Sequence, residues 1–228
     1  MTKPSTIAID GPVAAGKSVV GKLLSQHLGY RFVDTGAMYR AVTWAALREN
    51  LDLNDEQALT DLVRRIKIRI DPQTVNDGRP YTVLVDSQDV TWEIRSAEVE
   101  ASVSLVSRVR GVREAMVEHQ RALARGGKVV MVGRDIGTVV LPNADLKIFL
   151  LASPQERARR RYLELVGYGR KVSYEEVLDE ILRRDRIDSE RAISPLRPSP
   201  DAVVLDTDGL SIEEVIARIE SIIAQRDP

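Results

Sequence analysis

The sequence lacks cysteine entirely, and among its 228 residues it has only two histidines, His27 and His119. Without cysteine, disulfide bonds, zinc–thiolate sites and a cysteine nucleophile are excluded. Two imidazoles also argue against a histidine-based metal site and against a Ser–His catalytic triad. Aromatic residues make up 4% of the chain, which is few for a protein whose side chains stack on nucleic-acid bases.

The chain also lacks an excess of either charge, with 33 Lys and Arg against 34 Asp and Glu. This balance provides no general attraction to nucleic acid or to an anionic membrane. We see no apolar run of roughly 18 residues and no signal-peptide pattern. We therefore expect a cytoplasmic protein with neither a nucleic-acid nor a membrane partner. We also expect a monomer, although these features do not determine the oligomeric state.

The apolar residues that are present, 43% of the chain, alternate between strand-like and helix-like segments, which is typical of a parallel α/β sheet. The predicted strands of this sheet are Thr6–Asp10, Arg31–Asp34, Val129–Val132, Leu146–Leu151 and Ala202–Asp206. The predicted helices are Lys17–Leu28, Met38–Asn50, Ala97–Arg125 divided at Gly111, Pro154–Leu165, Tyr174–Arg191 and Ile212–Gln225.

One stretch breaks this pattern. Isoleucines alternate with basic residues from residue 66 to residue 70, and turn signals follow at Asn76–Gly78 and Ser87–Asp89. Three short strands with tight connections should be antiparallel, namely residues 66–70, Tyr81–Asp86 and Val90–Ile94. We therefore predict one domain over residues 1–228, with a core of residues 1–64 and 96–228 and an inserted lobe of about residues 65–95.

The strongest motif is the phosphate-binding loop, or P-loop, that begins at Gly11. The residues from Gly11 to Ser18 read GPVAAGKS and fit the pattern G-x-x-x-x-G-K-[ST], between a strand and a helix. Backbone N–H groups of such a loop bind phosphate oxygens, Lys17 reaches the β- and γ-phosphates, and the Ser18 hydroxyl binds Mg²⁺. The predicted ATP contacts are Gly11, Pro12, Val13, Ala14, Ala15, Gly16, Lys17, Ser18 and Val19. A turn without a ligand is the alternative, and switches, motors and small-molecule kinases share the motif.

Basic residues at two strand ends indicate a second anion site. Arg40 follows the strand that ends at Asp34, and Arg134 and Asp135 follow the strand that ends near Gly133. Ligands of α/β sheets bind beyond the carboxyl ends of the strands, so both places are suited to an acceptor. The alternatives are a surface arginine at Arg40 and a simple salt bridge at Arg134–Asp135.

Two helices carry further basic faces. Arg157, Arg160 and Arg161 share one face, and an anion among them would relieve their repulsion. On the next helix, Arg184, Asp188 and Arg191 share another face. The alternatives are a solvated basic face and a ladder of ion pairs. The glycines of the connecting loop, Val166–Gly169, make it a candidate hinge for a flap that excludes water.

Taken together, these segments resemble the bacterial cytidylate kinases. The matching stretches are IDGPVAAGKS, DTGAMYRAV, IRSAEVEASVS, VRGVREAM, VGRDIGTVVLPNADLKIFLLAS and RRDRIDSERAISPL. The resemblance implies a P-loop NTPase fold, a three-layer α/β/α architecture with five parallel strands, a nucleotide-binding insert and a short helical lid at about residues 157–185. It also implies phosphoryl transfer from ATP to CMP or dCMP, with Mg²⁺ bound alongside ATP.

The same resemblance implies a role for each matching residue. Three positions would read the cytosine edge: Ser104, Arg113 and Asp135. Thr35 and Asp188 match positions near the sugar. Around the CMP phosphate the resemblance puts Arg40, Arg134 and Arg191. The transferring phosphoryl would be served by Arg157, Arg161 and Arg184, together with Lys17.

The P-loop departs from the family at two positions, where Ala14 stands for the usual glycine and Val19 for a common threonine. Ala14 needs a negative φ or else costs free energy in a left-handed conformation. Loss of the hydroxyl at position 19 removes one phosphate contact. These departures put the affinity for ATP in question and leave the chemistry intact.

Two other functions stay open at this point. A different P-loop kinase would phosphorylate UMP, AMP or a non-nucleotide acid. A nucleotide-dependent switch would bind without transfer, although the N-K-x-D motif of guanine-specific switches is absent from the sequence.

Overall fold

The computed structural model describes residues 3–225. Its strands are β1 (Thr6–Asp10), β2 (Arg31–Asp34), β3 (Ile68–Asp71), β4 (Thr82–Val85), β5 (Gln88–Asp89), β6 (Val129–Gly133), β7 (Leu146–Leu151) and β8 (Val203–Asp206). Its α-helices are α1 (Lys17–Leu28), α2 (Thr35–Arg48), α3 (Glu56–Arg65), α4 (Ala97–Val106), α5 (Arg110–Ala124), α6 (Pro154–Gly167), α7 (Tyr174–Glu190) and α8 (Ile212–Gln225).

The larger sheet has five strands in the order β2-β6-β1-β7-β8. The central strand β1 pairs in parallel with β6 and β7, and Asp10 at its end lies opposite Gly133 of β6. The segments that follow β1 and β6 therefore leave the sheet at the same edge, which positions the P-loop beside Arg134 and Asp135.

Apolar side chains of this sheet are fully buried against helices. Ile7 and Ile9 of β1 and Ile148 of β7 belong to one cluster with Leu24 of α1 and Ile219 of α8, and each is at most 1% exposed. Burying a side chain of this size contributes roughly 1.5–3 kcal/mol. The near-continuous apolar strands are those expected of a parallel sheet covered on both faces.

The smaller sheet, in the order β3-β4-β5, is antiparallel. The guanidinium of the buried Arg79 binds the carboxylates of Asp77 and Asp89, so it ties the loop before β4 to β5. The fold class predicted from sequence, a parallel five-stranded core with a separate three-stranded antiparallel sheet, is confirmed.

The third strand was placed wrongly in the sequence, because β5 covers only Gln88–Asp89 and Val90–Ile94 is not a strand. Instead, Ile94 donates its N–H to the Val90 carbonyl at 3.1 Å, and a 3-10 turn covers Glu93–Arg95. Val90 and Ile94 are both fully buried. Two apolar residues four positions apart point the same way in a helical turn, which explains why this segment coils.

The predicted division at Gly111 is also wrong. The break between α4 and α5 lies at residues 107–109, and Gly111 is in the first turn of α5. A Cβ at Gly111 would lie 2.3 Å from the Thr60 hydroxyl oxygen, so this glycine allows α5 to pack closely on α3. Helix α3 itself lies where the sequence had led to no prediction.

Helix α2 begins three residues before the predicted Met38. The Asp34 carboxylate accepts a hydrogen bond from the Ala37 N–H at 3.2 Å, and this N-cap starts the helix at Thr35. The remaining predicted strands and helices are confirmed, with ends that differ by at most two residues.

The chain divides into two compact units. One contains the described residues of Met1–Phe32 and Gly126–Pro228, and the other contains Val33–Arg125. The domain bounds given in the sequence analysis stay a prediction. Within residues 3–225, no helix combines the length and the apolar character needed to cross a membrane.

Candidate active site

The P-loop leaves the end of β1 with positive φ angles at three of its residues. Gly11 has a φ of 151°, and a Cβ there would lie 2.3 Å from the Leu150 carbonyl oxygen. Ala14 and Gly16 also have positive φ values, 58° and 86°. Three positive φ values within six residues turn the backbone into a concave loop that ends at the N-terminus of α1, an arrangement suited to anions.

The sequence left open whether Ala14 adopts a negative φ or a left-handed conformation, and its φ of 58° shows that it is left-handed. An alanine in the left-handed region costs roughly 1 kcal/mol or more, a cost that the usual glycine avoids. The second departure, Val19, lies about half exposed on the first turn of α1. The Lys17 ammonium group donates a hydrogen bond to the Pro12 carbonyl at 2.5 Å, so the lysine side chain folds back over the loop.

Helix α6 braces the P-loop through one buried arginine. Arg157 is 3% exposed and donates from Nη1 to the Val13 carbonyl at 3.1 Å and from Nε to the Ala152 carbonyl at 3.0 Å. It also binds both carboxylate oxygens of Asp185 on α7, at 3.1 and 2.5 Å. Arg157 thereby connects the loop to both helices of the predicted lid.

The other two arginines of this face have protein partners as well. Arg160 binds Glu156 and donates to the hydroxyl and carbonyl oxygens of Thr207, at 3.1 and 2.5 Å. Arg161 pairs with Glu164 at 2.7 Å. The sequence had suggested that a bound anion would offset the repulsion among the three cations. In the structure, these protein partners offset it instead. Their predicted contacts with the transferring phosphoryl stay predictions.

Beyond β6 and at the end of α7, two arginines and two carboxylates lie together. Arg134 Nε is 2.5 Å from Asp188 Oδ2, and Arg191 lies 3.9 Å from both Asp135 and Asp188. Both carboxylates are almost fully buried. Arg184 lies one turn before Asp188 on α7 and is half-buried. The structure thus brings together the acceptor-side residues that the sequence predicted in this unit.

Asp10, which the sequence analysis missed, anchors this group. It is 4% exposed, and its carboxylate accepts hydrogen bonds from the N–H groups of Ile136 and Gly137 at 2.8 and 2.7 Å. Burial raises the pKa of Asp10 to about 6, against the opposing effect of these two bonds. An acid directly before the first P-loop glycine was the available signal. Asp10 fixes the segment that follows Arg134 and Asp135.

In the other unit, Arg40 and Thr35 lie at the start of α2. Thr35 is buried, and Arg40 Nη2 is 3.9 Å from Asp34 Oδ2, which is too long for a hydrogen bond. The Nε of Arg40 is buried without a hydrogen-bond acceptor. Arg40 also hydrogen-bonds the Tyr81 side chain, and a guanidinium with five N–H donors retains others for an anion.

The predicted cytosine readers in this unit, Ser104 on α4 and Arg113 on α5, are both buried. Arg113 is only 2% exposed, donates to the Ser107 carbonyl at 3.0 Å, and has its guanidinium 5.4 Å from the centre of the Tyr39 ring. The Tyr39 ring and the Ser107 carbonyl therefore fix the position of the Arg113 guanidinium. Tyr81, which no sequence signal identified, also reaches Asp34 in this unit.

The sheet order, the P-loop after β1 and the basic groups at the carboxyl ends of the strands define a P-loop phosphotransferase. The sequence profile of the family described as Cytidylate kinase matches residues 7–225. The chain belongs to the cytidylate kinase family, and it is therefore a nucleoside monophosphate kinase.

Individual relatives agree over their whole lengths. A cytidylate kinase of Bacillus velezensis is 52% identical over 226 residues, which cover 99% of both chains. A cytidylate kinase of Geobacillus kaustophilus is 53% identical with the same coverage. A solved structure from Eubacterium ventriosum, of a protein titled uncharacterized, has a TM-score of 0.50 at 14% identity and covers 96% of this chain and 97% of that chain. At that identity the structural likeness supports the fold alone.

Proposed function

We propose that the protein transfers the γ-phosphoryl group of ATP to CMP or dCMP, giving ADP and CDP or dCDP. The observation that carries this proposal is the concave P-loop, with positive φ at Gly11, Ala14 and Gly16, in a chain that matches cytidylate kinases along its length. A positive φ at a non-glycine residue such as Ala14 is typical of ligand-binding sites.

The P-loop would hold the triphosphate. Its backbone N–H groups and the α1 N-terminus bind phosphate oxygens, and Lys17 would exchange the Pro12 carbonyl for the β- and γ-phosphates. The exposed Ser18 hydroxyl is a hard oxygen ligand that suits Mg²⁺, an ion that takes few protein ligands and keeps several waters. When bound, the metal neutralises charge on the phosphate oxygens.

The acceptor would be held by the basic and polar residues that the sequence analysis assigned to it. Arg40, Arg134 and Arg191 are proposed to bind the CMP phosphate, and Thr35 and Asp188 the sugar. Ser104, Arg113 and Asp135 would read the cytosine, whose amino group needs acceptors and whose ring nitrogen and carbonyl need donors. Arg161 and Arg184 would contact the transferring phosphoryl. The contacts of Arg157 favour a supporting role, although its catalytic assignment stays a proposal.

The chemistry needs no nucleophile or general base from the protein. A CMP phosphate oxygen is already anionic near pH 7, so it can attack the γ-phosphorus in line. Positioning and electrostatic stabilisation by Lys17 and the arginines then supply most of the acceleration. A cytoplasmic location and a monomeric state remain predictions from the sequence.

A panel of acceptors tests the substrate assignment. With Mg-ATP and a coupled assay for ADP, we expect CMP and dCMP to give the highest kcat/KM among CMP, dCMP, UMP, AMP and shikimate. If another acceptor is best, the protein is a P-loop kinase of different specificity. If nucleotide binds and no acceptor is phosphorylated, the proposal is wrong.

Replacing Lys17 tests the triphosphate site. Lys17→Ala should lower kcat by about 100-fold or more, because it removes a charge aimed at the transferring group. The unfolding midpoint should stay within the range of the control Lys22→Ala on the same helix. Near-normal turnover in Lys17→Ala would reject its assignment.

A further inference from the structure

The smaller sheet reaches the start of α2 through a buried tyrosine. Tyr81 directly precedes β4 and is 4% exposed. Its hydroxyl donates a hydrogen bond to Asp34 Oδ2 at 2.9 Å. A side chain from the inserted strands is therefore bonded to the carboxylate that lies beside Arg40.

Asp34 is held on two sides. Its Oδ1 accepts the Ala37 N–H at 3.2 Å, while Oδ2 accepts from Tyr81 and lies 3.9 Å from Arg40 Nη2. There is little free space around this pair, since a Cβ on Gly36 would lie 3.1 Å from Asp34 Oδ1 and 3.3 Å from Arg40 Nη1. Both side chains therefore pack against the same glycine.

A second arginine supports the tyrosine from the other side. Arg95 Nη2 lies 3.5 Å from Tyr81 Oη, the outer limit for a hydrogen bond, and its guanidinium is 5.8 Å from the centre of the ring. A donor at the phenol oxygen directs the phenol's own proton toward Asp34. Burial, and then the negative charge of Asp34, raise the pKa of Tyr81, so the hydroxyl remains a donor at neutral pH.

We propose that Tyr81 is a positioning residue for the acceptor phosphate, which it affects by keeping Asp34 from closing onto Arg40. The hydroxyl takes up the carboxylate oxygen nearest to Arg40, so the ion pair stays open at 3.9 Å. The same hydroxyl oxygen hydrogen-bonds Arg40, so it lies between the two charged groups. Without the hydroxyl, both Asp34 Oδ2 and Arg40 lose that partner and close into a direct salt bridge. Arg40 would then be turned toward Asp34 and away from a phosphate. The inference rests on the proposed function, in which Arg40 binds the CMP phosphate.

The test is Tyr81→Phe, which removes only the hydroxyl. We expect the KM for CMP, and the Kd of CMP measured by calorimetry without ATP, to rise about fivefold to tenfold, the effect of one buried hydrogen bond. The kcat at saturating CMP and the KM for ATP should change by less than about twofold, because the P-loop is untouched. A tyrosine that only stabilised the fold would not separate the two KM values.

Thr91→Val is the matched control. Thr91 is fully buried in the same unit, donates to Asp89 at 2.6 Å and accepts the Val83 N–H at 2.9 Å, so its loss weakens the smaller sheet without touching Asp34. The KM for CMP should not change in this variant. A rise equal to that of Tyr81→Phe would show that the effect follows sheet stability and would overturn the inference.

Arg40→Met separates this inference from the proposed function. A KM for CMP that rises in Arg40→Met and is unchanged in Tyr81→Phe overturns the role of Tyr81 alone. A KM that is unchanged in Arg40→Met removes Arg40 from the proposed phosphate site, and the inference fails with it.

Discussion

The P-loop and the start of α2 provide hydrogen-bond donors for anions in two different ways. The P-loop offers mainly backbone N–H groups, and hydrogen bonds hold its conformation, since Arg157 donates to Val13 and Lys17, within the loop, donates to Pro12. At the start of α2 the donors belong to side chains, and Arg40 is 3.9 Å from the carboxylate beside it. The P-loop is braced by several hydrogen bonds to carbonyls, whereas Arg40 is held by Tyr81 and by an open ion pair with Asp34.

The difference shows that burial of an arginine does not reveal its role. Arg157 is bound to two carbonyls and to both oxygens of one carboxylate, so most of its donors already have protein acceptors. Arg40 has a buried Nε without an acceptor. A saturated arginine stabilises the scaffold, whereas an unsaturated one is ready for a ligand. The predictions below test this distinction.

The largest effect on stability should come from Arg157→Met. This variant leaves Asp185 and the Val13 carbonyl without their donor, and the loss of one partner of a buried ion pair lowers the free energy of unfolding by about 3 kcal/mol. Urea denaturation measures this change directly.

Arg159→Met on the same helix is the matched control for that experiment. Arg159 is 58% exposed in its side chain and pairs with Glu156 on its own helix. Its loss should leave the unfolding midpoint nearly unchanged. Equal destabilisation by the two variants would contradict a bracing role for Arg157.

The ionisation of Asp10 should make the P-loop unit sensitive to pH. Burial raises its pKa from 3.8 to about 6, so the folded protein binds more protons than the unfolded chain between these values. The Asp10 contribution to stability is therefore highest below about pH 4 and declines as the pH rises through 6, by about 3 kcal/mol in total for two pKa units.

Subtracting a variant isolates this contribution. Asp10→Asn cannot titrate, so the wild-type free energy of unfolding minus that of Asp10→Asn should decrease from pH 4 to pH 6.5. Denaturation at several pH values gives this difference. A difference that stays constant across that range would show that Asp10 does not have a raised pKa.

The smallest effect should come from relieving the strain in the P-loop. Ala14→Gly should increase the free energy of unfolding by about 1 kcal/mol, since glycine adopts a φ of 58° without a steric penalty. Ala15→Gly is the control, because the buried Ala15 lacks a positive φ, and this change should destabilise by a similar amount. If both variants are destabilised, Ala14 is not strained.

The parallel core and the P-loop could be predicted from the sequence because both depend on local patterns. The apolar runs of β1 and β7 and the motif from Gly11 to Ser18 carry their signal within a few residues. The glycine at position 11 also follows from the motif. The structure shows why glycine is needed there, because a Cβ would lie 2.3 Å from the Leu150 carbonyl oxygen.

The features that were missed depend on contacts between distant residues. Tyr81 meets Asp34 across 47 positions, and Asp10 meets Gly137 across 127. Gly111 was interpreted as a helix break because its contact with Thr60 cannot be inferred from its neighbours. The basic face of α6 was correctly located on one helix, but the partners of Arg157 lie on the P-loop and on α7.

Calorimetric titration of CMP into Arg40→Met tests the distinction between the two regions most directly. We predict that the Kd rises about 30-fold, the effect of losing a charge-assisted bond to phosphate, while the free energy of unfolding falls by less than it does in Arg157→Met. An unchanged Kd accompanied by lower stability would contradict the account, because Arg40 would then be a structural arginine like Arg157.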